Sequence, residues 1–340
     1  MPAEEIRRWP HNAGVTPPTR RPPPTVAVAV ALLTVYILWG STYLGIAVMI
    51  ETMPPLLAAG VRYGSAGLIM LAVLVAHARL RRGAALERPS AIQWRTAAIV
   101  GTLLLLGGNG GVVLAELFID TGVAAVLVAT VPIWLAVFDS IVTRRRPSGL
   151  VIGGLVAGIA GVVVLLVPVE GFDDINPLGI ALVLGGAIAW AIGSLYARYN
   201  PLPRSALLGT GMEMLLGGLA LIVGGALLGE LGRTDVADFS TRSVVAFVYL
   251  VVFGSIVAFT AYTWLLANVA VSTVATYAYV NPVVAVVLGA LILGEELTPR
   301  MLIAAVLILG AVVAMVSGRP RDVDEARPAV ESGAVEPDRA

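Results

Sequence analysis

Ten apolar runs, each about long enough to cross the ~30 Å hydrocarbon core of a bilayer, occupy most of this chain. They fall near Val26–Ile50, Leu56–Ala76, Ala97–Phe118, Val123–Val142, Leu150–Val167, Leu178–Tyr196, Ala206–Leu228, Val244–Leu266, Val274–Leu293 and Met301–Val316. Backbone polar groups in lipid must be satisfied within the segment or in a closed barrel, and the short alternating pattern of barrel strands is absent. The runs are therefore predicted helices, and the chain an all-α integral membrane protein. Composition agrees: 58% of the 340 residues are hydrophobic and 13% charged, against about 25% charged in soluble domains. The first run is too long for a signal-peptide core and is kept as a helix. Residues 1–25 and 318–340 are Pro- or charge-rich and are expected to be disordered tails.

Arginine placement tests this count. The chain has no Lys, and eighteen of its 22 arginines fall in the tails and loops of one side if the ten runs alternate. The other side holds Arg233, Arg242 and Arg300, and Arg62 lies inside a run. By the positive-inside rule both termini are expected in the cytosol of a cell whose plasma membrane holds the chain.

The runs also repeat. "LLAAGVRYGSAGL" (Leu56–Leu68) aligns without gaps on "LLGTGMEMLLGGL" (Leu207–Leu219) at an offset of 151 residues, and Trp39 meets Trp190 at the same offset. Pro132 meets Pro282 at 150. Two halves of five helices, 26–168 and 177–317, are predicted. Five is odd, so the second half enters the membrane from the opposite side, as in transporters built on inverted repeats.

Composition excludes several function classes. No cysteine is available for disulfides or thiolate metal ligation, and His11 and His77 are too few and too distant for a metal site. The net charge of zero gives no sign of nucleic-acid binding, and a chain without lysine has no Walker motif. Intramembrane proteases need a Ser–His or paired-Asp arrangement that is not present. The expectation is a transporter, not an enzyme, with no cofactor, that handles a small-molecule substrate in the lipid bilayer, with a proton or an exchanged solute as coupling partner. A channel or a non-transporting scaffold or receptor is the alternative, and the residues leave monomer or homodimer open.

Four stretches carry a family resemblance: "LWGSTYLGI", "LLAAGVRYGSAGL", "GGNGGVVLAELFIDTGVAAVLVATVPIWLAV" and "GSIVAFTAYTWLLANVAVSTVATYAYVNPVVAVVLGALILGEELT". They resemble EamA-type members of the drug/metabolite transporter superfamily. The resemblance implies two inverted five-helix repeats around a central cavity bounded by the first, third and fourth helices of each half. It also implies export of small metabolites, amino acids or drug-like compounds. One departure is that the counterpart of "GEELT" in the first half is "RRRPS", so Glu295 has no mirror.

Polar and aromatic residues inside apolar runs are the candidate pathway. "LLLLGGNGGVVLAEL" (Leu103–Leu117) sets Asn109 among four glycines, each weakening a helix by roughly 1 kcal/mol relative to Ala. Asn109 either faces a polar cavity, or bridges helices that small residues bring close. Trp39, Ser41, Thr130, Pro132, Trp134, Trp190, Tyr262, Tyr279 and Asn281 complete the pathway candidates, with Pro132 and Pro282 able to kink their helices. Tyr277 and Ser194 share that setting.

Three charges are candidates for coupling or anion binding: Arg62, Glu116 and Glu213. Arg62 and Glu213 hold matching repeat positions, roughly 9–10 Å from opposite membrane surfaces at 1.5 Å per residue. They either bind an anion and couple a proton, or pack against polar groups of their own halves. Glu116 is expected near the outer mouth, and Asp139 to reach toward Arg144–Arg146.

Overall fold

The computed structural model describes residues 23–80, 87–119, 124, 127–144, 146–166, 176–288 and 299–317. Its helices longer than ten residues among those described are α1 (Thr25–Ile50), α2 (Pro55–Leu80), α3 (Ala91–Ala115), α4 (Val131–Thr143), α5 (Gly149–Leu166), α6 (Pro177–Tyr199), α7 (Ala206–Leu227), α8 (Thr241–Asn268), α9 (Tyr277–Leu288) and α10 (Pro299–Ser317). Six of them, α1, α2, α3, α6, α7 and α8, are long and apolar enough to cross a membrane. The shortest of the six has 22 residues, which is about 33 Å of helix. The start of the fourth apolar run, Glu295 and nearly all of both tails lie outside the described residues.

Short polar residues set where helices begin. Ser90 and Gln93 form a capping box at the start of α3. Ser240, at the matching position before α8, accepts from Ser243 N. Asn176 and Ser205 cap α6 and α7 in the same way, and Pro177 follows Asn176 at the first helical position. Beyond the caps the helices are apolar almost all round. In α1 the exposed stripe Val26, Val30, Leu33, Ile37 recurs at helical spacing, the pattern of a face that meets lipid.

The closest packing joins α2 to α7, which run antiparallel through glycines. Ile222 lies on Gly60, and Leu71 on Gly211. Shifting each residue of the first pair by 151 positions, one up and one down, yields the second. Gly218 against Gly64 and Leu215 against Gly67 are related by the same exchange. A Cβ on Gly67 would stand 2.6 Å from Leu215 N, so only glycine allows this approach. The loops add an exchange of their own. Glu230, between α7 and α8, accepts from Leu56 N and Leu57 N at the start of α2, at 3.1 and 2.8 Å. Glu87, between α2 and α3, accepts from Arg204 N and Ser205 N at the start of α7, at 3.0 and 3.1 Å. Each carboxylate meets the exposed amides and positive dipole end of the other half's helix.

The third helix of each half loosens midway. α3 is π-helical over Thr102–Asn109 and α8 over Leu250–Val257, eight residues each. Such widened turns are rare and gather at functional sites. The fourth helices are interrupted instead. Ala129 and Thr130 form a turn just before α4, and Thr276 separates the single turn Val271–Ala275 from α9. α5 and α10 pack on each other at the side through Gly154 and Gly161. The core that remains packs α1, α2, α3, α6, α7, α8 and α9 together, and a central cavity opens among α1, α2, α3, α4, α6 and α9.

Candidate functional site

The central cavity holds about 610 Å³ of empty space, its open mouth included. α1 contributes Trp39, Thr42, Tyr43 and Ile46 to its wall, and α2 contributes Arg62 and Tyr63. α3 supplies Gly108 and Asn109 from the end of its π-helical stretch and Val112 from the turn that follows. Gly186, Ala187 and Trp190 of α6 face them, with Tyr277 and Asn281 of α9 and Val131 of α4 closing the ring. The wall is thus aromatic and aliphatic, with a few convergent polar groups, the usual make-up of a small-molecule site.

Arg62 is the charge of this cavity. It is 1% exposed, and its Nε donates to Ser255 Oγ of α8 at 2.8 Å. Its guanidinium carbon stands 4.5 Å from the Tyr63 ring centroid, a cation–π contact. Nη1 is buried and has no hydrogen-bond partner. Asn109 Oδ1 is also buried and unpartnered, so two residues of the cavity wall carry a donor and an acceptor that no protein group satisfies. Buried polar atoms normally find partners, and orphans in a cavity wall mark where a ligand would supply them.

An aromatic layer underlies these groups. Trp39 and Trp190 meet edge to face at 5.5 Å, and Trp39 lies 5.0 Å from the Tyr277 ring and 4.8 Å from the Tyr262 ring. The layer is pinned by hydrogen bonds. Trp39 Nε1 donates to Gly254 O within the π-helical stretch of α8, at 3.1 Å. Trp190 Nε1 donates to the Tyr262 hydroxyl at 2.9 Å, and that hydroxyl also bonds Ser194 Oγ at 2.6 Å. With its amide nitrogen turned toward the two carbonyls, Asn281 donates to Tyr277 O and Tyr36 O.

Glu213 belongs elsewhere. It is 1% exposed and lines a second cavity, of about 1230 Å³, between α3, α6, α7 and α8. Arg198, Arg204 and Asn268 also line that cavity, which opens on the face where α1 begins. The repeat-equivalent charges Arg62 and Glu213 therefore face different cavities, with the aromatic layer between.

The comparisons decide the family. The model of the EamA-like transporter family matches twice, at residues 26–167 and 177–317. The chain belongs to this family. The uncharacterized inner membrane transporter YedA of Escherichia coli is 40% identical over 292 residues, covering 85% of this chain and 90% of that one. The uncharacterized transporter YvbV of Bacillus subtilis is 25% identical over 85% of this chain and 91% of its own. A crystal structure at 22% identity shares the fold, with a TM-score of 0.68 over 86% of this chain and 98% of that chain. The protein is an EamA transporter of the membrane, all-helical over the described residues.

Against that family frame the predicted residues separate. Trp39, Arg62, Asn109, Trp190 and Asn281 line the central cavity. Tyr262 sits one layer behind it and holds Trp190. Ser41 does not reach it: its hydroxyl donates to Leu38 O and meets the Tyr249 hydroxyl between α1 and α8. Thr130 donates to Leu127 O, and Pro132 sits in the first turn of α4, so it starts that helix rather than kinking it. Trp134 stacks on Phe138 among apolar residues of α4 and α6. Tyr279 turns the other way, onto Gly158 of α5. Glu116 lies one turn beyond Val112 on α3, its two oxygens buried and unpartnered. Asp139 accepts from Tyr199 at 2.7 Å. Arg62 meets the Tyr63 ring of its own half and donates to Ser255 of the other.

Thr42, Tyr43 and Tyr63 were not among the predicted pathway residues, yet they line the cavity. Helical spacing was the available signal: Trp39, Thr42, Tyr43 and Ile46 fall on one face of α1. The widening of α3 falls on the glycine-weakened stretch around Asn109, whereas that of α8 leaves no comparable mark in the sequence. The second helix of the first half also enters the wall, where the resemblance implied first, third and fourth helices.

Proposed function

We propose that this EamA transporter is a secondary transporter. It carries small metabolites, amino acids or drug-like compounds out of the cell by alternating access of two inverted five-helix repeats to the central cavity. The observation that carries this reading is Arg62, a buried guanidinium with an unpartnered Nη1 in an aromatic-walled cavity. A cation so placed favours a solute with a carboxylate or another small anionic group, and Asn109 Oδ1 accepts from a donor on the same solute. The aromatic and aliphatic wall suits an apolar remainder. The inverted arrangement is supported by the exchanged glycine contacts of α2 and α7 and by the crossed carboxylates Glu87 and Glu230. Arginine placement supports a plasma-membrane orientation with both termini cytosolic.

Untargeted comparison of metabolites inside and outside cells tests the reading. Cells with the protein should lose a small set of anionic or zwitterionic compounds to the medium, relative to cells without it. Cells with Arg62→Gln should retain them. A profile indistinguishable from that of cells lacking the protein would rule out transport and favour a scaffold. Equal export by Arg62→Gln would remove the anion-binding role.

A further inference from the structure

One buried group that the central cavity does not use is Glu213. Its Oε2 is buried and has no hydrogen-bond partner. The single ion pair among the described residues joins Arg242 to Glu51, at the far end of the bundle. The backbone of Glu213 is held against Gly101 of α3, so the side chain cannot withdraw by a shift of its helix. α2 and α3 turn glycine and apolar side chains toward this stretch of α7: Gly67, Leu71, Ala97, Gly101 and Leu104. The titratable or charged groups around it are Tyr262 of α8 and, along the second cavity, Arg198 and Arg204.

A carboxylate deprived of water and of a counter-charge strongly favours its neutral form, so its occupancy by a proton follows access to solvent. The second cavity gives that access from the face where α1 begins, the face opposite the mouth expected for an outward-open central cavity. Tyr262 lies on the stretch of α8 that bonds to α7 beside Glu213, through the Thr210 and Thr263 hydroxyls at 2.7 Å. Its hydroxyl holds Trp190, which lines the central cavity, and its ring packs on Trp39.

We propose that Glu213 is the protonation site that couples this transporter to the proton gradient, with Tyr262 as the positioning residue between it and the aromatic layer. The proposal rests on the alternating-access reading above. Protonation from the second cavity leaves a neutral side chain in an apolar setting. Deprotonation creates a buried charge that is relieved by opening the cavity to water. The two states of Glu213 therefore favour different openings of the bundle, as differential stabilisation requires.

The cysteine-free chain allows a test without a known substrate. Val112→Cys, in the central cavity wall, is reconstituted in liposomes and exposed to an impermeant thiol reagent outside, at constant external pH. Only the luminal pH is varied, so the reactivity of the thiol itself is unaffected. The labelling rate should change by roughly fivefold or more across the luminal range that titrates Glu213. It should lose this dependence in Glu213→Gln and keep it, with a displaced midpoint, in Glu213→Asp. Tyr262→Phe should weaken the response without moving its midpoint. Labelling that never occurs at any pH would count against the central cavity itself. Labelling that is independent of luminal pH, or equally dependent on it in Glu213→Gln, would overturn the coupling role and leave the cavity standing. If Glu213→Gln does not fold, an unshifted midpoint in Glu213→Asp overturns the proposal.

Discussion

Trp39 and Trp190, separated by 151 positions, stand edge to face with ring centroids 5.5 Å apart and planes at 82°. Repeat-equivalent residues can touch only near the axis that relates the repeats, so this pair marks the centre of the molecule. Their hydrogen bonds nevertheless differ. Trp39 is tied to a backbone carbonyl of a π-helical turn, Trp190 to a tyrosine. The centre is symmetric in shape and asymmetric in chemistry, as is the pair Arg62 and Glu213. That asymmetry is what the proposed division between a solute site at Arg62 and a proton site at Glu213 requires.

Replacement of Trp39 separates the ring from its bond. Trp39→Phe keeps an aromatic wall and loses the donation to Gly254 O, at a cost of about 1 kcal/mol. Trp39→Ala removes the ring from contacts with four aromatic neighbours and should cost about 3–5 kcal/mol. Thermal unfolding of the purified protein in mild detergent reads both. Equal melting temperatures for the two variants would show that the ring is not structural.

The glycine contacts of α2 and α7 make a contrast within one helix. Gly67→Ala places a methyl 2.6 Å from Leu215 N and should destabilise by about 1–3 kcal/mol. Gly64→Ala meets nothing within 4 Å and should be neutral or stabilise by up to about 1 kcal/mol, since Ala favours helix. The same unfolding assay distinguishes them, and a reversed order would refute the antiparallel crossing.

Much of the architecture was legible in the sequence because lipid imposes a length on apolar runs and a repeat leaves matching offsets. Trp39, Trp190, Arg62 and Asn109 were recognisable for the same reason: each is costly among aliphatic neighbours. Which way a side chain points was harder to read. Tyr279 and Tyr277 are two residues apart in an equally apolar run, about 200° around the helix, so only one can face the cavity, and packing against α5 decides that it is not Tyr279. Pro132 and Pro282 align in the repeat, yet a turn at Ala129 and Thr130 leaves Pro132 at a helix start while Pro282 lies inside α9. Backbone hydrogen bonding decides that difference, and residue type does not report it.

The sidedness proposed from arginine placement can be measured directly. Ser90→Cys and Ser148→Cys should react with impermeant reagents from the cytosol, and Ser240→Cys from outside. Ser240 lies beside Thr52, whose hydroxyl accepts from Ser240 N, so both loops share one face. Cytosolic labelling of Ser240→Cys would contradict the orientation.

"GGNGG" yields the sharpest contrast between packing and pathway. Its glycines are packing positions: a Cβ on Gly108 would stand 2.6 Å from Trp190 Cε3, and one on Gly111 2.7 Å from Leu182 O. Asn109, between them, has its Oδ1 buried and unpartnered in the cavity wall. Gly108→Leu should therefore push Trp190 off its bond to Tyr262 and lower the melting temperature, whatever it does to transport. Asn109→Leu should leave stability nearly unchanged, because no internal bond of Oδ1 is lost, and should abolish export of the compounds found by metabolite comparison. Asn109→Cys should react with small water-soluble thiol reagents, more slowly once an exported compound is present. Normal export by Asn109→Leu, with an Asn109→Cys thiol that stays unreactive, would leave packing as the whole role of this stretch.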